Sequence, residues 1–76
     1  MRKTGPPPSE RVRRNVRAEI ARAGTTHEAL AQRIGLSPAT FRRRLTGPGD
    51  WRAGELEAIA RELSIPLARL TEEPKP

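Results

Sequence analysis

The sequence contains no cysteine and no tyrosine, and it has one residue each of histidine, phenylalanine and tryptophan. Without cysteine, the chain forms neither a disulfide nor a thiolate zinc site. No stretch approaches the ~20 apolar residues that a membrane-spanning helix needs. The basic N-terminus lacks the apolar run of a signal peptide. We therefore expect no metal, no cofactor, no contact with a membrane, and a cytoplasmic location.

Catalytic groups are equally scarce. His27 has no cysteine or second histidine as a partner, and the chain lacks a glycine-rich phosphate-binding loop. Glu55, Glu57 and Glu62 fall on the outer side of a predicted helix with no evident pocket, which favours solvated charge over acid–base catalysis. We predict that the chain is not an enzyme and has no small-molecule substrate.

Positive charge is abundant and unevenly distributed. The 76 residues carry a net charge of +6, which is typical of proteins that bind polyanions. Residues 1–23 contain seven basic and two acidic side chains, residues 24–46 contain four and one, and residues 47–76 contain four and six. The C-terminal third should therefore face away from nucleic acid. Arginine outnumbers lysine thirteen to two, which suits phosphate and guanine contacts but is equally explained by a GC-rich genome.

Apolar periodicity and capping residues predict helices throughout one small domain. The first helix is capped by Ser9 and continues to about Ala23, with its arginines either solvated or, at Arg13 or Arg17, bound to the DNA backbone. The fourth helix spans about residues 53–63. A break at residues 64–66 separates it from a short last helix in which Leu67 or Leu70 either protrudes or closes the core.

Both ends of the chain fall outside this domain, which we place at residues 9–70. Residues 1–8 contain a run of three prolines and are predicted to form an extended arm. Arg2 and Lys3 in this arm are candidates for contacts with the minor groove or a phosphate, although a disordered terminus explains them as well. Residues 71–76 are predicted to be a flexible tail.

Residues 25–47 are predicted to form two short helices joined by a tight turn. Thr25 and Glu28 have capping-box spacing, which begins the second helix at about Thr26. Gly35 suits a left-handed helix end. Ser37 then caps the third helix, with a proline at the first helical position.

The third helix has two chemically different sides. At 3.6 residues per turn, Phe41 and Leu45 share one side. Small, hydroxyl and guanidinium groups occupy the rest, and such a helix suits the major groove, where arginine binds guanine and alanine contacts the thymine methyl group. Arg43 is our choice for the main base contact. The predicted base-reading set is Ser37, Ala39, Thr40, Arg42 and Arg43.

The turn after this helix, residues 46–50, is rich in glycine and proline. Backbone N–H groups around Thr46 and Gly47 are candidates for a phosphate contact. Arg44 lies on the flank of the helix and is also predicted to reach a phosphate. We interpret Trp51 as a core anchor rather than as an exposed base-stacking residue.

The middle of the chain resembles the helix-turn-helix of the Cro/lambda-repressor-like DNA-binding domains. The resemblance covers roughly residues 9–70 and extends through Trp51 and the segment ELEAIARELSIPLARL. It implies an all-α, compact five-helix domain with the helix-turn-helix at helices 2 and 3. It also implies phosphate contacts at Thr26 and His27, although a plain surface residue is a near alternative for His27. Members usually have an apolar residue where Arg44 stands, and Leu45 takes over that role. The matching residues are Leu30, Ala31, Ile34, Gly35, Leu36, Ser37, Thr40, Phe41 and Gly47.

Three kinds of partner follow from these patterns. The leading hypothesis is a sequence-specific regulator that binds a double-stranded DNA operator, most plausibly a small Cro-like repressor of phage or prophage type. The alternative is an antitoxin or another protein-interaction module, with or without binding of its own operator. A third hypothesis is RNA binding through the arginine-rich first helix. A homodimer would require an inverted repeat, whereas a monomer would use an asymmetric site.

Overall fold

Five helices account for most of residues 8–47 and 50–73, which are the residues described by a computed structural model. These ranges contain no strand, and the all-α prediction is confirmed. Arg2, Lys3, the rest of the predicted arm before residue 8, and the tail after residue 73 lie outside the described residues. The helices are α1 (Pro8–Ala23), α2 (His27–Ile34), α3 (Pro38–Thr46), α4 (Ala53–Leu63) and α5 (Ala68–Thr71).

One hydrophobic core joins all five helices. Phe41 and Leu30, from the predicted helix-turn-helix, are fully buried in it beside Val16 of α1 and Ile59 of α4. Leu70 of α5 is also fully buried. Leu67, the N-cap of α5, is by contrast 40% exposed, so Leu70 closes the core and Leu67 protrudes.

Capping residues determine where α2 begins and ends. Thr26 is the N-cap of α2, because its side chain accepts a hydrogen bond from the Ala29 N–H at 3.0 Å. The predicted capping box at Thr25 and Glu28 is therefore wrong by one residue. Gly35 ends α2 with φ +79°, as predicted.

α1 supports both α3 and α5. It begins one residue before Ser9, so Ser9 lies inside the helix and is not its cap. The buried Asn15 side chain donates to the carbonyls of Leu70 and Glu72 at 3.2 and 2.7 Å. These bonds fasten the C-terminal segment to α1, and α5 extends to Thr71, one residue into the predicted tail. No helix within the described ranges has the length and apolar character to cross a lipid bilayer.

Candidate nucleic-acid interface

The two sides of α3 differ as predicted. Phe41 and Leu45 are 1% and 3% exposed, and both belong to the core. Ala39, Arg42 and Arg43 are exposed. We call the exposed side, formed by Ala39, Arg42, Arg43 and Thr46, the outer face of α3. Neither Arg42 nor Arg43 forms an ion pair with any residue that the structure describes.

The beginning of α3 is held by a hydroxyl network. The Ser37 side chain accepts from the Thr40 N–H at 3.1 Å and donates to Thr40 Oγ1 at 3.0 Å. The predicted N-cap is therefore confirmed, and the Ser37 proton is used within the helix. The half-buried Thr40 hydroxyl keeps its own proton, so it can donate to an outside acceptor.

The N-terminus of α2 lies beside α3. The His27 ring centroid is 5.9 Å from that of Phe41, and His27 and Arg42 both line a notch of about 60 Å³. Thr26 and His27 are exposed, and the first N–H groups of a helix carry partial positive charge. The predicted phosphate-binding end of α2 is thus brought next to Arg42, on one flank of α3.

The end of α3 uses much of its polar capacity internally. The Gly47 N–H, a predicted phosphate donor, donates to the Arg43 carbonyl at 2.8 Å and terminates the helix. The exposed Thr46 hydroxyl donates to the Arg42 carbonyl at 3.0 Å. Thr46 still has acceptor capacity, but its proton is engaged within the helix.

Arg44 has a partner that the sequence did not indicate. Its Nε and Nη2 donate to Oε1 and Oε2 of Glu55 at 2.9 and 3.0 Å, and the two side chains are only 14% and 15% exposed. The hydrogen bond from Arg44 is the main reason that the pKa of Glu55 lies below its usual range, and the same bond raises the pKa of Arg44. The predicted phosphate contact at Arg44 would require this bidentate pair to open.

Two arginines of α1 lie beside the end of α3. Arg17 Nη1 donates to the Leu45 carbonyl at 2.6 Å. Arg13 pairs with Glu10 at 2.9 Å and with Asp50 at 3.5 Å, beside Gly47. The predictions for Arg13 and Arg17 were solvent or the DNA backbone. The contacts with Asp50 and Leu45 could not be predicted because they join residues far apart in the chain.

Trp51 follows the turn after α3 and is a core anchor, as predicted. It is 9% exposed, and its ring meets Phe41 edge-on at a centroid distance of 5.3 Å. Its buried indole N–H has no hydrogen-bond partner among the described residues. The edge-on contact connects the turn directly to the buried side of α3.

Comparisons with known proteins agree with this geometry. A family model described as the Cro/C1-type helix-turn-helix DNA-binding domain matches residues 15–72. The solution structure of LexA, an SOS-response transcriptional repressor from Eubacterium rectale, is similar, with a TM-score of 0.82 and 27% sequence identity. That likeness covers 96% of this chain and 78% of the LexA chain. No curated protein matches the chain.

Proposed function

Because the chain belongs to the Cro/C1-type helix-turn-helix DNA-binding domains, we propose that it recognises one duplex operator through the outer face of α3. The observation that carries the proposal is the contrast between the two sides of this helix. Phe41 and Leu45 are buried, while Arg42 and Arg43 extend into solvent without an ion-pair partner in the described structure. Exposed guanidinium groups on a short helix suit the donor and acceptor pattern of the major groove.

The residues of this surface divide into two groups. Arg43 lies centrally on the outer face and is proposed to bind a guanine edge, with Arg42 beside it and Ala39 and Thr40 nearer the start of the helix. Ser37 stands at the helix start, but its proton is already donated to Thr40, so it would act as an acceptor at most.

Phosphate contacts are proposed at the margins of this surface. Thr26 and His27 offer the N-terminus of α2, and Thr46 offers an exposed hydroxyl oxygen at the other end of α3. Arg44 and the Gly47 N–H have internal partners. They would contribute only if those bonds opened.

We further propose that the protein is a transcriptional repressor of the small, Cro-like type. The similar structure is that of a protein described as a transcriptional repressor, which supports this role. Two copies bound to one face of DNA would read half-sites roughly 34 Å apart, and the operator would then be an inverted repeat.

Selection of binding sites from a pool of random duplexes tests the proposal. We expect one enriched sequence that binds about 10³-fold or more tightly than a scrambled duplex of the same composition at physiological salt. Arg43→Ala should cost ~1–3 kcal/mol on the enriched duplex and much less on the scrambled one. Arg61→Ala, an exposed arginine of α4, is the matched control. Equal binding of all sequences by the unmodified protein would refute the proposal.

A further inference from the structure

Three consecutive arginines occupy the second half of α3, but the third differs from the other two. Arg42 and Arg43 are exposed, whereas the Arg44 side chain is 14% exposed. Successive residues of a helix are separated by about 100°, which turns Arg44 away from the outer face and toward α4. Both ends of its guanidinium group are bonded there to Glu55.

Glu55 is itself fixed at the start of α4. Its Oε1 also accepts a hydrogen bond from the Arg52 N–H at 3.0 Å, which is the reciprocal half of a helix-capping arrangement. Arg44 is therefore joined to the first turn of α4 rather than to a freely moving side chain. On another side, Arg17 of α1 bonds to the carbonyl of Leu45. Two arginine contacts thus connect α3 to two different helices.

These contacts bear on the rotation of α3 about its own axis. The buried Phe41 and Leu45 determine which side of the helix faces the core, but apolar contacts are non-directional. A bidentate guanidinium–carboxylate pair has a defined planar geometry and adds a directional restraint. A rotation of α3 would distort the planar geometry of this pair and would also carry Arg43 away from its place on the outer face.

We propose that Arg44 is a positioning residue: through Glu55 it sets the rotation of α3 that presents Arg42 and Arg43 to DNA, and it does not itself contact DNA. This inference rests on the proposed function. Opening the pair to free Arg44 for a phosphate would leave the mostly buried Glu55 carboxylate without its partner and close to a polyanion. The internal pair is therefore the more stable arrangement in the complex as well.

The test compares Arg44→Gln and Glu55→Gln with charge-matched controls on exposed positions of α4, Arg61→Gln and Glu57→Gln. Each protein is titrated with the enriched duplex and with the scrambled duplex over a series of salt concentrations. Both Arg44→Gln and Glu55→Gln should reduce the preference for the enriched duplex by about 3- to 100-fold. The dependence of affinity on salt should stay close to that of the matched control, because no phosphate contact is lost. Arg44→Lys keeps the positive charge and Glu55 but loses the bidentate geometry, so it should also lose part of the preference.

Two results would overturn the positioning role while leaving the proposed function intact. One is an Arg44→Gln variant whose affinity falls by the same factor for both duplexes, while the slope of log affinity against log salt concentration is reduced by about 0.9. The other is a Glu55→Gln variant with the same preference as Glu57→Gln. An unmodified protein without any sequence preference would refute both proposals. Circular dichroism melting shows whether each variant is folded. If a glutamine variant unfolds, Arg44→Lys decides: a reduced preference supports the inference, and a folded Arg44→Lys with the full preference contradicts it.

Discussion

Arg43 and Arg44 are adjacent in the chain, yet their guanidinium groups have different surroundings. Arg43 is exposed on the outer face of α3, and Arg44 is bonded at both ends to Glu55. The rotation of about 100° between neighbouring helical residues separates them. A single arginine-rich run therefore provides both a candidate for base recognition and an internal ion pair.

The same distinction limits what could be predicted for single residues. Exposure of Arg43 follows from helical periodicity once Phe41 is assigned to the core, and the structure agrees. The partner of Arg44 could not be predicted, since it depends on how the turn after α3 returns the chain. Four other glutamates, two on α4 and two after it, were equally plausible acceptors in the sequence: Glu57, Glu62, Glu72 and Glu73. Long-range ion pairs leave no periodic signal.

The cap of α3 gives a prediction for one residue. Ser37→Ala removes the acceptor for the Thr40 N–H and should lower the free energy of unfolding by about 1 kcal/mol. Ser37→Asp keeps a capping oxygen, so its stability should stay close to that of the unmodified protein, but its negative charge should weaken DNA binding. Denaturant unfolding followed by Trp51 fluorescence, together with duplex titration, measures both effects. Equal stability of Ser37→Ala and the unmodified protein would show that the cap contributes nothing.

At the scale of helices, α3 is held by contacts of two kinds. Its buried side contacts the core through Phe41 and Leu45, and its far end is bonded to α1 through Arg17 and to α4 through Arg44. Small domains bury limited apolar surface. Directional polar contacts therefore have a large share in determining where this helix lies.

The ends of the helices show which local signals are reliable. The start of α3 and the bounds of α4 agree with prediction, because a serine followed by proline, and glycines and prolines in the turn, each act locally. Thr46, assigned to the turn in the sequence, is the last residue of α3. The start of α2 was misassigned by one residue because Thr25 and Thr26 both carry a capping hydroxyl. Only tertiary placement decides between two adjacent hydroxyl groups of equal propensity.

The ion pair between α3 and α4 predicts a dependence of stability on pH. Arg44 lowers the pKa of Glu55 in the folded protein, so folding favours the carboxylate. The stabilisation is complete above the unfolded pKa, near 4.3 for an unperturbed glutamate, and is lost as the pH falls through the lowered folded value. Near pH 7, Glu55→Gln should lose about 1–3 kcal/mol relative to the unmodified protein. This difference should shrink when the pH is reduced below about 4.

Denaturant titrations at a series of pH values from neutral to acidic measure this convergence. Glu57→Gln, an exposed substitution on the same helix, is the reference for loss of one negative charge. A difference between the unmodified protein and Glu55→Gln that stays constant down to the most acidic condition would contradict the role assigned to the pair.

Across the whole molecule, the part of the chain with excess positive charge is the part that contains α3. The basic excess of residues 1–46 includes α3, and the acidic residues after residue 46 lie mainly on α4 and the C-terminal segment. Long-range attraction of DNA should therefore depend on where a charge is changed as well as on its sign. The described structure provides exposed carboxylates on α2 and on α4 for comparison.

Glu28 and Glu57 make this comparison. Both are exposed, but Glu28 lines the notch between α2 and α3, whereas Glu57 lies on α4. Glu28→Gln should increase DNA affinity about 2- to 5-fold at low salt because a charge that repels the phosphates is removed. Glu57→Gln, with the same change in net charge, should have a smaller effect. Duplex titrations at low and high salt measure both variants, and equal effects of the two would argue against a DNA surface centred on α3.

The account depends most on contact between the outer face of α3 and guanine in the major groove. Replacing single guanines of the enriched duplex by 7-deazaguanine removes the N7 acceptor from the major groove, whereas inosine removes the N2 amino group from the minor groove. Affinities of the unmodified protein and of Arg43→Ala for both series of duplexes measure this contact directly. We predict that 7-deazaguanine at one or two positions weakens binding by the unmodified protein and has little further effect on Arg43→Ala. Loss of binding with inosine alone, or equal responses of the two proteins to 7-deazaguanine, would contradict the account.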